Sequence, residues 1–298
     1  MPELPEVETV RRGLQPVMEG KRIVSVKTNR RDLRFPFPDA FASRLTGRTV
    51  IAMGRRAKYL MADLDDGHVL IMHLGMTGRF IIEHSEGASA ASEDIPGAFA
   101  QTVNRHLAHD HVVFDMEGGV RVTYNDVRRF GFMSLIARSE VSTHPLTKAI
   151  GIEPLGNELT GVTLANLFAG KATPLKSALL DQRLVAGLGN IYVCEVLFRT
   201  GLSPLKPAGS IAKKDGSPKP IAEELADEIK VVLQEAIEAG GSTLRDFAHT
   251  DGSLGYFQHR FKVYDREGEP CPNECCSAVV ERLVQSGRST FYCAHCQK

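Results

Sequence analysis

The sequence predicts an α+β protein made of three successive parts: an antiparallel β-sandwich opened by one helix, a helical region, and a short cysteine-rich tail. Short β-rich runs separated by turn signals fill roughly residues 1–140, the pattern of an antiparallel sandwich. From about residue 150 onward, apolar positions recur at helical spacing. Five of the six cysteines fall between positions 271 and 296, in a tail that starts near Val263.

The first helix is carried by Leu4, Val7, Val10, Leu14 and Val17. Pro5 suits a first helical turn, and Glu6 and Glu8 suit its positive dipole end. Gly20 is a natural stop, and Pro16 should kink or fray the last turn. Arg22 to Lys27 alternates as a strand does. Thr49–Leu64 and Val69–Leu74 are β-rich and meet at Asp65-Asp66-Gly67, a hairpin signal. Val112–Met116 and Val120–Tyr124 flank Glu117-Gly118-Gly119, a second hairpin. Ser85–Thr102 is small, polar and Pro/Gly-containing and reads as a loop insertion. Helices are expected at Leu164–Ala169, Leu175–Gln182, Ile191–Arg199 and Ile221–Glu238. The last carries Leu225, Ile229, Val232, Leu233 and Ala236 along one face. Lys206–Pro218 is a polar loop between helices, and no internal repeat is present.

A chain of 298 residues suggests two domains. It contains no apolar run long enough to span a membrane and no signal-peptide pattern. A soluble cytoplasmic protein is therefore expected. Net charge is zero, which excludes a uniformly basic nucleic-acid binder. The charge is uneven, however: residues 1–60 hold 13 Lys and Arg against 6 Asp and Glu. Affinity for DNA would have to come from a local basic surface; as a default, such charges form a solvated face. Clustered cysteines in an intracellular chain point to a metal rather than to disulfides.

The chemistry begins at Pro2-Glu3-Leu4-Pro5-Glu6. Removal of Met1 would make Pro2 a free secondary amine, able to attack an aldehyde-like carbon and form an iminium. A terminal amine of pKa about 8, against about 10.4 for lysine, carries roughly a few hundredfold more free base at neutral pH. Glu3 and Glu6 stand beside it as candidate general acid and base. On spacing alone the same residues are simply a helix start. At the other end, Cys293 and Cys296 form a C-x2-C pair, with Cys271, Cys275 and Cys276 upstream.

The opening MPELPEVETVRRGL resembles that of the bacterial formamidopyrimidine-DNA glycosylase family. Further matching segments follow in the family's order: GRRAKYL at 54–60, HLGMTGRF at 73–80, HDHV at 109–112, YNDVRRFGF at 124–132, GLGNIY at 187–192, DGSLGYF at 251–257 and GRSTFYCAHCQ at 287–297. The sister family, endonuclease VIII, usually has glycine where this chain has Leu4. The resemblance implies a catalytic sandwich domain over 1–150, a helix–two-turn–helix domain over 151–262 with that motif near 175–199, and a zinc-finger hairpin over 263–298.

It also implies roles. Pro2 matches the nucleophile, Glu3 the acid for base release, and Glu6 a supporting carboxylate. Lys58 matches the lysine that aids β-elimination and holds the adjoining phosphate, and Arg288 the arginine of the second elimination. On spacing alone Lys58 reads as an exposed strand lysine and Arg288 as a hairpin-turn arginine. Met76, Arg128 and Phe130 match the wedge that fills the gap left by a flipped base; by default they are a core methionine, a surface arginine and a core phenylalanine. His109, Lys171 and Asn190 correspond to DNA contacts, although Asn190 beside Gly187 and Gly189 also reads as a helix start, and Lys176, which follows the segment of Lys171, is a further candidate. Ala108 stands where the family usually has lysine. Tyr256 lies in the loop Thr250–Phe257 that closes on the flipped purine.

The family's zinc pattern is C-x2-C-x16-C-x2-C. Taking Cys276 with Cys271, Cys293 and Cys296 keeps the sixteen-residue spacing, whereas Cys275 would give seventeen. Cys275 and an exposed His295 are then spare, and Cys194 is a buried small hydrophobe. Four cysteines leave no open position, so the single Zn2+ is expected to be structural. The expected function is a bifunctional glycosylase and AP lyase for oxidised purines such as 8-oxoguanine and formamidopyrimidines, acting through a Pro2 Schiff base and β,δ-elimination. The expected partner is double-stranded DNA with oxidised bases, met by a monomer at the nucleoid and without a membrane. The rivals are an endonuclease VIII-like enzyme for oxidised pyrimidines and a zinc-containing binder that does not cut.

Overall fold

The computed structural model describes residues 2–84, 106–242 and 256–298. The insertion expected over Ser85–Thr102 lies outside them, as does most of the loop expected over Thr250–Phe257. The chain divides into two compact units, Met1–Lys148 with Ile237–Gln258, and Ala149–Ala236 with His259–Lys298.

The first unit opens with α1 (Leu4–Met18), which buries Val7, Val10, Leu14 and Met18 completely or nearly so. Pro16 sits in its last turn, and the Glu19 N–H closes the helix on the Gln15 carbonyl at 2.9 Å. The strands are β1 (Ile23–Thr28), β2 (Val50–Arg56), β3 (Tyr59–Leu64), β4 (His68–His73), β5 (Arg79–His84), β6 (Asp110–Met116), β7 (Val120–Asn125) and β8 (Phe132–Ala137), with a short helix α2 (Phe41–Leu45) after β1. They form two four-stranded antiparallel sheets, ordered β1-β6-β7-β5 and β2-β3-β4-β8. One core joins them: Phe80, Val112, Phe114, Val122 and Tyr124 from the first sheet meet Leu60, Ala62, Leu70, Met72 and Met133 from the second, with the apolar stripe of α1. The alternate residues Met61, Val69, Ile71 and Ile136 form a smaller apolar cluster on the other face of the second sheet.

One expectation changes. Thr49–Leu64, read as one β-rich run, is two strands that reverse at Ala57-Lys58, with Arg56 paired to Tyr59. Ala57 takes a φ of 52°, where a two-residue hairpin commonly places glycine. No turn residue marks the site. It is braced instead by Arg55, whose Nη1 donates to the Ala57 carbonyl at 2.8 Å.

The second unit contains α3 (Gly161–Phe168), α4 (Leu175–Leu179), α5 (Asn190–Arg199) and the body of α6 (Pro220–Glu238). The five apolar residues expected on one face of α6 are all fully buried. α4 ends earlier than expected, at Leu179, because Gln182 serves the following loop: its Nε2 donates to the Leu188 carbonyl (2.7 Å) and its Oε1 accepts from the Gly187 N–H (2.9 Å). α4, this braced turn and α5 lie where the resemblance puts the helix–two-turn–helix motif. A hairpin of β9 (Glu281–Gln285) and β10 (Arg288–Tyr292) turns at Ser286-Gly287, both at positive φ. The tail belongs to this unit rather than standing alone. Cys194 and Phe198 of α5 share a core with Val263, Cys271, Val280, Phe291 and Cys293, since so short a tail cannot bury enough apolar surface by itself.

Among the described residues no helix is long and apolar enough to cross a membrane. Leu14→Ala, which empties a fully buried anchor of α1, should destabilise the protein by about 2–5 kcal/mol, read from the urea midpoint of unfolding.

Candidate active site

Pro2 is buried at the mouth of α1, and Glu3 caps the helix at 4% exposure. A chain terminus frays unless tied down, and here Glu6 ties it. Its Oε2 accepts the Glu3 N–H at 2.8 Å, while its Oε1 accepts the Ser242 N–H at 2.8 Å and the Ser242 hydroxyl at 2.9 Å. Gly241, at φ 78°, lets that segment approach, because a Cβ there would lie 3.1 Å from Glu6 Oε1. With three donors on its carboxylate, Glu6 supports the terminus, and Glu3 is the better candidate for proton transfer.

Lys58 is 8% exposed rather than an exposed strand lysine, because it sits in the unmarked β2–β3 turn. The turn is linked to α1 through Arg55, which also donates to Glu8 Oε2 at 3.2 Å. Glu8 is 9% exposed and also accepts from Arg11 and Arg12. Burial alone would raise its carboxyl, but the hydrogen bonds and charges of Arg11, Arg12 and Arg55 hold it below the usual range.

His73, which sequence reading passed over, pairs across the sheet with Tyr59, next to Lys58. Its ring stacks on Phe132 with centroids 5.2 Å apart, and its Nδ1 accepts the Gly75 N–H at 3.0 Å. Burial first, then the charges of Lys58 and Arg34, push its pKa down to about 4. It is therefore a neutral imidazole at pH 7, with its proton on Nε2. Its position at the end of an apolar strand gave no periodic signal.

Met76, half-buried, lies in the β4–β5 loop, and Arg128 and Phe130 lie in the β7–β8 loop. Phe130 is not a core residue: it is 44% exposed, with the Arg128 guanidinium 4.8 Å above its ring. The two loops touch at glycines, since a Cβ on Gly75 would lie 2.3 Å from the Gly131 nitrogen. Beside them, Arg34 donates its N–H to the Gly131 carbonyl at 3.0 Å, and the 47% exposed Phe35 sets its edge on Phe132. Sequence reading did not single out these two residues. His109 is half-buried, and its carbonyl accepts the Asp126 N–H at 3.0 Å. Tyr256 is 38% exposed and its N–H donates to the Ala239 carbonyl.

In the second unit Arg288 is exposed at the start of β10, and Lys171 is exposed as well. Lys176 corrects an expectation. It has no exposed surface, and its ammonium donates to the Ser289 carbonyl (3.0 Å) and to Thr290 Oγ1 (2.7 Å) rather than facing solvent as a phosphate contact would. Asn190, the first residue of α5, donates to the same Ser289 carbonyl at 2.8 Å. The backbone next to Arg288 is thus held from α4 and from α5.

The sulfurs of Cys271, Cys276, Cys293 and Cys296 lie within 4.8 Å of one another. Cys271–Cys296 and Cys276–Cys293 are each 3.8 Å apart. A tetrahedral zinc with Zn–S of about 2.3 Å separates its sulfurs by about 3.8 Å, so the donor set fits one structural Zn2+. Cys275 is exposed outside the group and His295 is exposed, which decides for Cys276. Cys194 is buried, as expected.

Three family descriptions match in register with this architecture: the formamidopyrimidine-DNA glycosylase N-terminal domain over residues 1–133, the formamidopyrimidine-DNA glycosylase H2TH domain over 150–248, and the zinc finger found in FPG and IleRS over 268–298. The chain belongs to the formamidopyrimidine-DNA glycosylase family. Members from Beijerinckia indica and Methylocella silvestris are 62% and 61% identical, with both chains covered completely. The crystal structure of the MutM (FPG) protein of Thermus thermophilus matches 99% of this chain and 98% of its own at 38% identity and a TM-score of 0.79. The Lactococcus lactis Fpg complex with abasic-site DNA matches 99% of both chains at 32% identity and a TM-score of 0.81. The protein is accordingly a DNA-repair glycosylase with a four-cysteine site for one structural zinc beside the β9–β10 hairpin. Metal analysis of purified variants should find one equivalent of zinc in Cys275→Ser and a loss of zinc in Cys276→Ser. The reverse assignment would show zinc lost from Cys275→Ser.

Proposed function

We propose that this glycosylase removes oxidised purines, 8-oxoguanine and formamidopyrimidines, and then nicks the strand as an AP lyase. The observation that supports this best is the buried Pro2 held at the mouth of α1 by the bonds of Glu6 to Glu3 and Ser242. With Met1 removed, the Pro2 nitrogen forms a bond to C1′ of the extruded nucleotide. The glycosidic bond breaks, its electron pair leaves with the base, and Glu3 supplies the proton. Opening of the sugar breaks the C1′–O4′ bond, whose electron pair stays on O4′ and takes up the proton released by the Pro2 nitrogen; the iminium left at C1′ acidifies the C2′ proton. Loss of that proton expels the 3′ phosphate, and a second elimination releases the 5′ phosphate. Lys58 steadies the phosphate beside the lesion, and the neutral His73 offers Nε2–H as a further donor. Arg288 serves the second elimination and grips phosphate by a bidentate contact.

Met76, Arg128 and Phe130 fill the vacated stack, with Arg128 hydrogen-bonding the orphaned cytosine. His109 and Tyr256 in the first unit, and Lys171 and Asn190 in the second, are further DNA contacts. The Lactococcus lactis relative has been crystallised with DNA containing Fapy-dG and with abasic-site DNA, which suit this reading, and also with DNA containing an oxidised pyrimidine, the lesion class of the rival.

Borohydride should trap a covalent adduct between Met1-processed, zinc-loaded protein and an 8-oxoguanine:cytosine duplex. The adduct should be lost when Met1 is retained and strongly reduced in Pro2→Gly. Lys58→Ala should slow nicking roughly a hundredfold. Absence of any adduct from the processed protein would overturn the lyase mechanism, and faster excision of oxidised pyrimidines across a lesion panel would overturn the purine preference.

A further inference from the structure

We propose that Asp126 is the positioning residue that sets the two wedge loops in register, so that Met76, Arg128 and Phe130 enter the duplex as one unit. The inference rests on the wedge assignment proposed above.

Asp126 has no exposed surface, yet it is a carboxylate at the start of a surface loop. A buried charge is costly unless hydrogen bonds replace water, and four donors do so. Oδ1 accepts from the Thr77 hydroxyl at 2.6 Å and from the Arg128 N–H at 3.3 Å. Oδ2 accepts from the Gly131 N–H at 2.9 Å and from the Tyr124 hydroxyl at 3.2 Å. Thr77 follows Met76 in the β4–β5 loop, while Arg128 and Gly131 bracket the β7–β8 loop at Arg128 and Phe130. Thr77 Oγ1 also accepts the Arg128 N–H at 3.1 Å, which closes a ring between the loops.

The surroundings leave the loops one path. A Cβ on Gly78 would lie 2.2 Å from the Tyr124 hydroxyl, and one on Gly131 1.8 Å from it. The Asp126 main chain is fixed in turn, since His111 Nε2 donates to its carbonyl at 2.8 Å. Arg129, between the two wedge residues of this loop, is held at φ 56°, a conformation that costs a non-glycine residue energy unless its surroundings impose it. Asp126 supplies that constraint through the N–H groups on either side. Among the described residues no wedge side chain hydrogen-bonds the carboxylate, so Asp126 acts through the backbone.

Asparagine has the same shape but one acceptor oxygen. Whichever way its amide faces, an NH2 group meets either Thr77 and Arg128 or Gly131 and Tyr124. The test compares zinc-loaded wild type, Asp126→Asn, Thr77→Val and Thr77→Ser on two duplexes, one with 8-oxoguanine opposite cytosine and one with it opposite an abasic gap. The gap leaves no orphaned base for the wedge to replace. A 2-aminopurine reporter beside the lesion reads insertion, single-turnover excision reads the chemistry, and thermal unfolding confirms the fold.

Asp126→Asn should slow insertion and excision on the cytosine duplex roughly a hundredfold, the scale of a misplacement of about 1 Å. It should leave the gapped substrate within about tenfold of wild type, since general positioning is intact. Thr77→Val should show the same selectivity more weakly, and Thr77→Ser should match wild type. Equal losses on both duplexes, or wild-type insertion in Asp126→Asn, would overturn the proposal. Should Asp126→Asn fail to fold, Thr77→Val decides: a selective loss supports the assignment and wild-type behaviour overturns it. A wild-type protein that excises from neither duplex would instead contradict the proposed function, and its reporter signal would still read the wedge.

Discussion

The nucleophile proposed for this enzyme sits at a chain end that must be held still, and the Glu6 carboxylate holds it. A nucleophile at a terminus offers a good amine but starts from the most mobile part of a chain. Glu6 sits within the first turn of α1, where the dipole favours its charge. From there it accepts the Glu3 N–H on one oxygen and the Ser242 N–H and hydroxyl on the other. Charge-assisted bonds of this kind are stronger than neutral ones, and at 2% exposure Glu6 loses little to competing water. The stripe of α1 in the sandwich core then carries the terminus on a rigid body.

The same device recurs. Asp126 gathers the β4–β5 and β7–β8 loops, and Glu195 in α5, fully buried, accepts the N–H groups of Lys262, Val263 and Tyr264 at 2.8–3.0 Å. In each case a buried acidic side chain replaces secondary structure as the partner of irregular backbone, because loop N–H groups away from water must still be satisfied. Removing such a carboxylate orphans several donors at once, so each of these sites concentrates the cost of change on one residue. The second unit adds a variant with the opposite sign, where the buried Lys176 ammonium and Asn190 hold the Ser289 carbonyl next to Arg288.

Much of this was legible in the chain. The hairpins at Asp65-Asp66-Gly67 and Glu117-Gly118-Gly119 carry turn residues whose backbone freedom the fold uses. α6 and α1 show their apolar stripes directly, and the family's sixteen-residue spacing favoured Cys276 over Cys275 before geometry did. What was missed lacked a local signal. The Ala57-Lys58 reversal has no turn residue and depends on Arg55, a tertiary brace. The burial of Lys176 follows from acceptors on β10, more than a hundred residues away, and a surface lysine is the usual reading of that residue type. His73 becomes a neutral donor only through what surrounds it. Asp126 looked like one polar residue among several in its segment, and its tie to Thr77, 49 residues earlier in the chain, leaves no local mark.

The most direct measurement is peptide mapping by mass spectrometry of the borohydride-reduced adduct formed by the wild-type protein. The account predicts the deoxyribose-derived mass on the peptide that begins at Pro2, on its terminal nitrogen. An adduct on the peptide containing Lys58, or on any other lysine, would contradict it.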